Sequence, residues 1–314
     1  MNDFKITGGL IDQHIHGAFG VDFSNCSPDE IIAVAKKLPE HGTTMFFPTL
    51  ATDSITNLKK QISSIKIAKE KQPKNSAQIV GIHLEGPFLN PEKKGIHDKN
   101  SILKPSVEDY KLLEDEIIKI VTIAPELDEN NELCRYLSSK GIKVSAGHTL
   151  TTDLSSVNQV THLFNAMGTI DHKKSSTATV ALTNDDVYTE VIADSIHIND
   201  EVLKLIFKTK EIDKVLLISD ALPIAHSDLN EMVFCNEKIY LKDNKATNNQ
   251  GTIAGSSSLL NDIVKNLVRK NIISFEKSIQ MCSSNQEKYH QLKNNYNLIW
   301  DENLNIVEYN FQVD

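Results

Sequence analysis

Short apolar, β-branched runs recur along the chain, and most are followed by a longer stretch whose apolar positions fall three and four residues apart. The runs are GGLID, TTMFFPTL, AQIVGIHL, KIVTIAP, IKVSAG, VTHLF, YTEVIAD and KVLLISD. Apolar runs of this length read as strands buried on both faces, and the intervening patterns read as amphipathic helices. One such helix is predicted over PDEIIAVAKKLPEHG, with Pro28 in its first turn and Gly42 just past its end. Another covers ITNLKKQISSIKIAKEKQ, with a charged outer face. Eight strands with crossover helices make the fold class α/β, specifically a (β/α)8 TIM barrel, with a doubly wound sheet as the alternative.

After the eighth run the pattern changes. EMVFCNEKIYLKDNKATNNQGTIAG alternates as a β-hairpin excursion, SLLNDIVKNLVRKN and SFEKSIQMCSSNQEKYHQ are helical, and NLIWDENLNIVEYNFQ alternates again around a turn at Asp301 to Asn303. There is no internal repeat and no linker composition. The expectation is one domain over residues 1–314: a barrel with its excursions over 8–290, then a C-terminal hairpin over 291–314.

With 314 residues the chain can bury a large core. Its formal net charge of -9 lacks the basic footprint of a nucleic-acid binder, and no apolar run approaches membrane-spanning length. The four cysteines, Cys26, Cys134, Cys235 and Cys282, form no CxxC pair and read as buried thiols in a reducing compartment. With no signal-like pattern at MNDFKITGGL, the expected location is cytoplasmic.

In a barrel, chemistry belongs at the C-terminal ends of the strands. Strand one ends in IDQHIHG, where side-chain alternation turns His14 and His16 to the same face. Strand three ends in His83 and Glu85, strand five in His148, strand six in His162, strand seven in Asp194 and His197, and strand eight in Asp220. Any one of these reads most simply as a hydrogen-bonded strand end. Six rim positions converging make a metal site the stronger reading, because imidazole and carboxylate are the donors that zinc, iron and manganese accept.

The HxH after strand one, the histidines after strands five and six and the aspartate after strand eight resemble the amidohydrolase superfamily. Within it, HLEGPFLNPEKKGIH, SAGHT, THLFNAM, IADSIH, SDA and GTIAGSS resemble the N-acetylglucosamine-6-phosphate deacetylase family, from about Gly8 to Leu260. The resemblance implies a divalent cofactor of one or two ions: Glu85, His148 and His162 would ligate one, and His14 and His16 would add a second that Glu85 could bridge. It implies Asp220 as general base, His97 and His197 against the sugar or its acetamide, and Asn165 and Ala166 at the phosphate end. His97 would also donate to the developing oxyanion. His83, on the same strand face as Glu85, is expected to orient that ligand. His41, His172, His226 and His290 match nothing and read as surface or structural.

The resemblance further implies a small-molecule amino-sugar substrate, no nucleic-acid or membrane partner, and a homodimer. The family's phosphate-binding arginine, which reaches across a dimer interface, is replaced here by Lys173-Lys174-Ser175-Ser176, so Lys173 is the candidate for that contact. Ser195 stands where the family commonly has glycine, and the family's small β-domain is expected to be absent or reduced to the C-terminal hairpin. Three alternatives remain: a deacetylase for an unphosphorylated or nucleotide-linked sugar, a cyclic-amide hydrolase, and a non-catalytic paralogue. KIVTIAPE has no bridging lysine at its end, which disfavours the second, and the complete ligand set disfavours the third.

Overall fold

The computed structural model describes residues 4–311. Eight parallel strands form the barrel: β1 (Leu10–Ile15), β2 (Thr43–Ala51), β3 (Ile82–Glu85), β4 (Ile118–Ile123), β5 (Lys143–Ala146), β6 (Gln159–Val160), β7 (Tyr188–Val191) and β8 (Val215–Leu217). Each pairs with its sequence neighbour from β1 to β8. The ring closes through a bridge between Ile15 and Ala221, just past the end of β8, in place of a full ladder. All eight strands fall on the eight expected runs, and β1 is buried on both faces as such a run requires.

Helix α1 (Pro28–Lys37) starts where expected. The Ser27 side chain accepts from the Glu30 N–H while Glu30 reaches back to the Ser27 N–H at 2.8 Å, satisfying two donors that a helix start leaves open. It buries Ile31, Val34 and Ala35 on the face toward the barrel. A 3-10 turn, Leu38–His41, follows and ends at Gly42, whose φ of 80° suits a residue with no Cβ. Helix α2 (Ile55–Lys71) packs beside it. The strand-helix alternation fails once, because between β5 and β6 the chain crosses without a helix.

Beyond β8 the expected hairpin is a four-stranded meander, Glu231–Phe234, Glu237–Lys242, Lys245–Asn248 and Ile253–Ser256, folded over the rim. The C-terminal hairpin, Tyr296–Trp300 with Ile306–Phe311, takes a third strand, Lys5–Gly8, from the other end of the chain. This small sheet shares the barrel's apolar core: Leu298 and Trp300 are fully buried in one cluster with Leu10, Leu260 and Phe275. The Trp300 indole N–H donates to Thr7 Oγ1 at 2.9 Å. No cysteine is in a disulfide, and only Cys134 and Cys282 are buried, Cys26 and Cys235 being half-buried. Among the described residues, no helix is long and apolar enough to cross a membrane.

Candidate metal centre and active site

At the C-terminal rim the strand ends converge on one carboxylate. Glu85 Oε1 lies 2.8 Å from His162 Nε2, 3.1 Å from His148 Nε2 and 3.6 Å from His14 Nε2; its Oε2 lies 3.3 Å from both His16 Nε2 and His97 Nε2. Asp220 Oδ1 is 3.3 Å from both His14 Nε2 and His16 Nε2. The pairs His14–His16 and His148–His162 hold their Nε2 atoms 3.3 Å and 3.2 Å apart. All of these side chains are buried.

Donor atoms around one tetrahedral ion at bonds of about 2.1 Å are roughly 3.4 Å from one another, and the observed separations have that scale. Two donor sets share Glu85: His14 and His16 on one side, His148 and His162 on the other. The residues therefore fit a divalent ion, and the carboxylate common to both sets fits a bridge between two. The field has the right sign as well. Burial disfavours a charged imidazole, yet Asp220 and Glu85 raise His16 to about 9, and Glu85 and Asp220 raise His14 well above its ordinary value. Groups that draw protons to those rings draw a cation to the same lone pairs. On the other side, burial and the neighbouring His97 lower His148 to about 4, leaving it neutral as a ligand must be.

The local backbone explains how short strands aim long side chains. His148, His162 and Asp220 have φ of 48°, 30° and 50°, so the chain turns sharply at the moment each leaves its strand. Left-handed conformations in residues other than glycine cost on the order of 1 kcal/mol or more and collect at functional sites. Gly95 is required here: with φ of 56°, it lies where an added Cβ would stand 3.1 Å from the His148 ring.

The remaining expected residues line a cavity of about 330 Å³ above the rim, which His97, Asn165, Ala166 and His197 share with the histidine cluster. His97 Nδ1 accepts the Thr52 N–H at 3.2 Å, so in the neutral ring Nε2 carries the proton. His197 Nδ1 rests on Asp194 Oδ2 at 2.8 Å. The Asn165 amide is pinned to the carbonyls of His162 and Leu163. Lys173 is exposed and outside the cavity lining, with its backbone N–H on Asp171.

Some readings change. His83 does not orient Glu85: its Nδ1 faces the Gln13 carbonyl at 3.0 Å and its Nε2 the Thr122 hydroxyl at 2.7 Å, so both nitrogens are occupied, and its ring packs on His14. His290 is structural, with Nε2 on Gln13 Oε1 at 2.6 Å, whereas His172 is exposed. Phe234, edge-on to the His16 ring, and Thr252 to Gly255 complete the cavity from the meander; sequence reasoning missed Phe234 and gave the GTIAGSS stretch no place in the site. A larger cavity of about 490 Å³ on the other side of Phe234 contains Asp22, Asp53 and Lys60 and none of the rim histidines.

The amidohydrolase family model matches residues 6–299, the whole barrel, the meander and the appended sheet short of its last strand. The chain belongs to the amidohydrolase family. This amidohydrolase is 33% identical over 298 residues to N-acetylglucosamine-6-phosphate deacetylase of Bacillus subtilis, covering 91% of this chain and 75% of that protein. It is 31% identical to the Haemophilus influenzae enzyme of the same name, covering 89% of this chain and 75% of the relative. The amidohydrolase barrel also superposes on the crystal structure of N-acetylglucosamine-6-phosphate deacetylase from Pasteurella multocida with a TM-score of 0.90 and 27% identity, over 98% of this chain and 85% of that one.

Proposed function

We propose that this amidohydrolase hydrolyses the acetamide of N-acetylglucosamine 6-phosphate to glucosamine 6-phosphate and acetate, using one or two divalent ions of zinc, iron or manganese. The observation that carries the reading is Glu85, with five imidazole nitrogens within 3.6 Å of its oxygens beside a cavity of monosaccharide size. A divalent ion bound there supplies a water acidified to a pKa of roughly 7 and polarises the amide carbonyl.

The chain's own residues do the rest. Asp220, held below the usual carboxylate range by His14 and His16 in spite of its burial, is the base that takes the proton of the attacking water and returns it to the departing nitrogen. His97, with its proton on Nε2 facing the same centre, donates to the oxyanion. His197, oriented by Asp194, contacts the sugar, and Asn165 and Ala166 hold the phosphate end. Lys173 meets the phosphate from the neighbouring subunit of a homodimer, which suits its exposure outside its own cavity. The unpaired thiols agree with a cytoplasmic location.

A deacetylase for a neutral or nucleotide-linked sugar is the second reading, favoured by one observation: the expected arginine is an exposed lysine. The test is acetate release and metal analysis with N-acetylglucosamine, its 6-phosphate and a nucleotide-linked form. Preference for the 6-phosphate is expected, and preference for either other sugar selects the second reading.

A further inference from the structure

Below the rim, on β7, Glu190 is fully buried inside the barrel and gathers four donors. Its Oε1 accepts from Gln13 Nε2 at 2.5 Å and from Gln159 Nε2 at 3.0 Å. Its Oε2 faces His14 Nδ1 at 3.2 Å and the His162 backbone N–H at 3.3 Å. Gln13 is itself oriented by His290, which contacts its Oε1. A carboxylate with four donors is fully satisfied as an anion, and an anion can only accept. His14 therefore carries its proton on Nδ1, and in the neutral ring Nε2 presents a bare lone pair toward Glu85, Asp220 and His16.

The four rim histidines differ in this respect. His148 places its far nitrogen on the Lys93 carbonyl at 2.8 Å, and the far nitrogens of His16 and His162 are buried without a hydrogen-bond partner. Among the described residues, His14 alone of the four rests through Nδ1 on a carboxylate. Such a partner fixes tautomer and ring orientation and strengthens the imidazole as a donor.

We propose that Glu190 is the positioning residue of the His14–His16 half of the site, so that an ion held there depends on it while an ion held by Glu85, His148 and His162 does not. The inference rests on the two-ion form of the proposed function. It assigns the asymmetry of the two donor sets to a residue outside both. Glutamine at position 190 would lose the charge whichever way its amide turned, and with its N–H toward His14 it would also oppose the Nδ1-protonated tautomer; both weaken the Nε2 lone pair as a ligand.

The test uses the full chain, stripped of metal and titrated with Zn²⁺ against a competing chelator, with bound metal counted after dialysis. Wild type is expected to bind two equivalents. Glu190→Gln should weaken one of them by about 10- to 100-fold and leave the other unchanged, and His14→Ala should abolish the same equivalent. Circular dichroism and the retained equivalent report on folding. Glu190→Asp keeps the charge and retracts it from His14; it should weaken the same equivalent and serves if the glutamine variant does not fold. Two equivalents with unchanged affinities in the folded variants, or equal weakening of both, overturn the role of Glu190. A single equivalent in wild type that survives His14→Ala overturns the two-ion reading instead.

Discussion

The candidate metal end of the cavity and the end proposed to meet the phosphate are built to different standards. At the metal end every candidate ligand is buried, Glu85 faces five imidazoles, and Glu190 supports the floor. At the proposed phosphate end, Asn165 is half-buried with its amide turned to local carbonyls, and Lys173, outside the cavity lining, is exposed on a turn beside Asp171. The difference teaches where chemistry and selectivity reside. Donors that must converge within a few tenths of an ångström need a rigid interior, whereas a charged substrate end can be met at the surface by a mobile side chain.

The largest effect expected at the metal end is on turnover. Asp220→Asn should keep the fold and the metal yet lower kcat for acetate release on the order of a thousandfold, since an amide cannot take the water's proton. Near-normal kcat in a metal-replete variant would remove Asp220 as the base.

Replacing His14 and His16 together should lower bound metal by about one equivalent, checked by elemental analysis of the purified protein. Unchanged stoichiometry would leave the metal end with a single ion.

At the phosphate end the expected effect is smaller. A charge-assisted contact contributes about 1.5 to 3 kcal/mol, or roughly 10- to 150-fold, and a lysine lacks arginine's two-pronged geometry. Lys173→Ala should remove most of the preference for the 6-phosphate, read as the kcat/KM ratio of the phosphorylated to the neutral sugar. A ratio equal to wild type would show Lys173 to be an ordinary surface residue.

The smallest effect tests the floor beneath the metal end. Burial, with Lys143 nearby, lowers His290 to about 3. Below pH 6.5 the unfolded chain gains a proton on this residue that the folded chain refuses, so stability falls as pH drops from 6.5 toward 3; above 6.5 the group contributes nothing to the slope. His290→Gln should lessen the stability lost between pH 7.5 and 5 by about 2 kcal/mol, measured from urea unfolding at the two values. Identical losses in variant and wild type would mean that the ring is solvated.

The convergence of side chains at the candidate metal end was legible in the sequence for a physical reason. Each of its side chains lies at or just past the end of an apolar run, so barrel topology brings His14, His16, Glu85, His148, His162 and Asp220 to one rim together with His83, Asp194 and His197, and the family resemblance, not the pattern, singled out the six as ligands and base. Glu190 also left a trace, a lone charge within YTEVIAD, but its proposed role needs the side chains of β7 and β1 to meet inside the closed barrel, which local pattern does not contain. Phe234 was hidden, and the GTIAGSS stretch was noticed without a place in the site, because a meander's fold-back over the rim is a tertiary event. The strand Lys5–Gly8 was hidden because its partner, Tyr296–Trp300, lies nearly the whole chain away. His83 misled by parity: it shares a strand face with Glu85, but Gln13 and Thr122 already occupy its two nitrogens. At Ser195 the family's glycine position keeps its backbone demand, with φ of 65°, and the serine hydroxyl accepts from Asn266 Nδ2 at 2.7 Å.

The barrel's closure has a mechanical consequence. Elsewhere neighbouring strands are joined by ladders; here the first and last meet through the Ile15–Ala221 bridge and a few backbone bonds, Asp220 N–H to the His14 carbonyl at 2.9 Å and His16 N–H to the Ala221 carbonyl at 2.8 Å among them. The residues on either side of this seam are the candidate ligands and base themselves. An ion held by His14, His16 and Glu85 would stiffen the β1 side of the thinnest join in the ring, and opening the seam would part these ligands from Asp220 before the rest of the barrel yields. Amide hydrogen exchange at His16 and Asp220 should then slow on metal loading far more than at the ladders on the opposite wall, making the seam the place where the protein's cofactor state is written into its local stability.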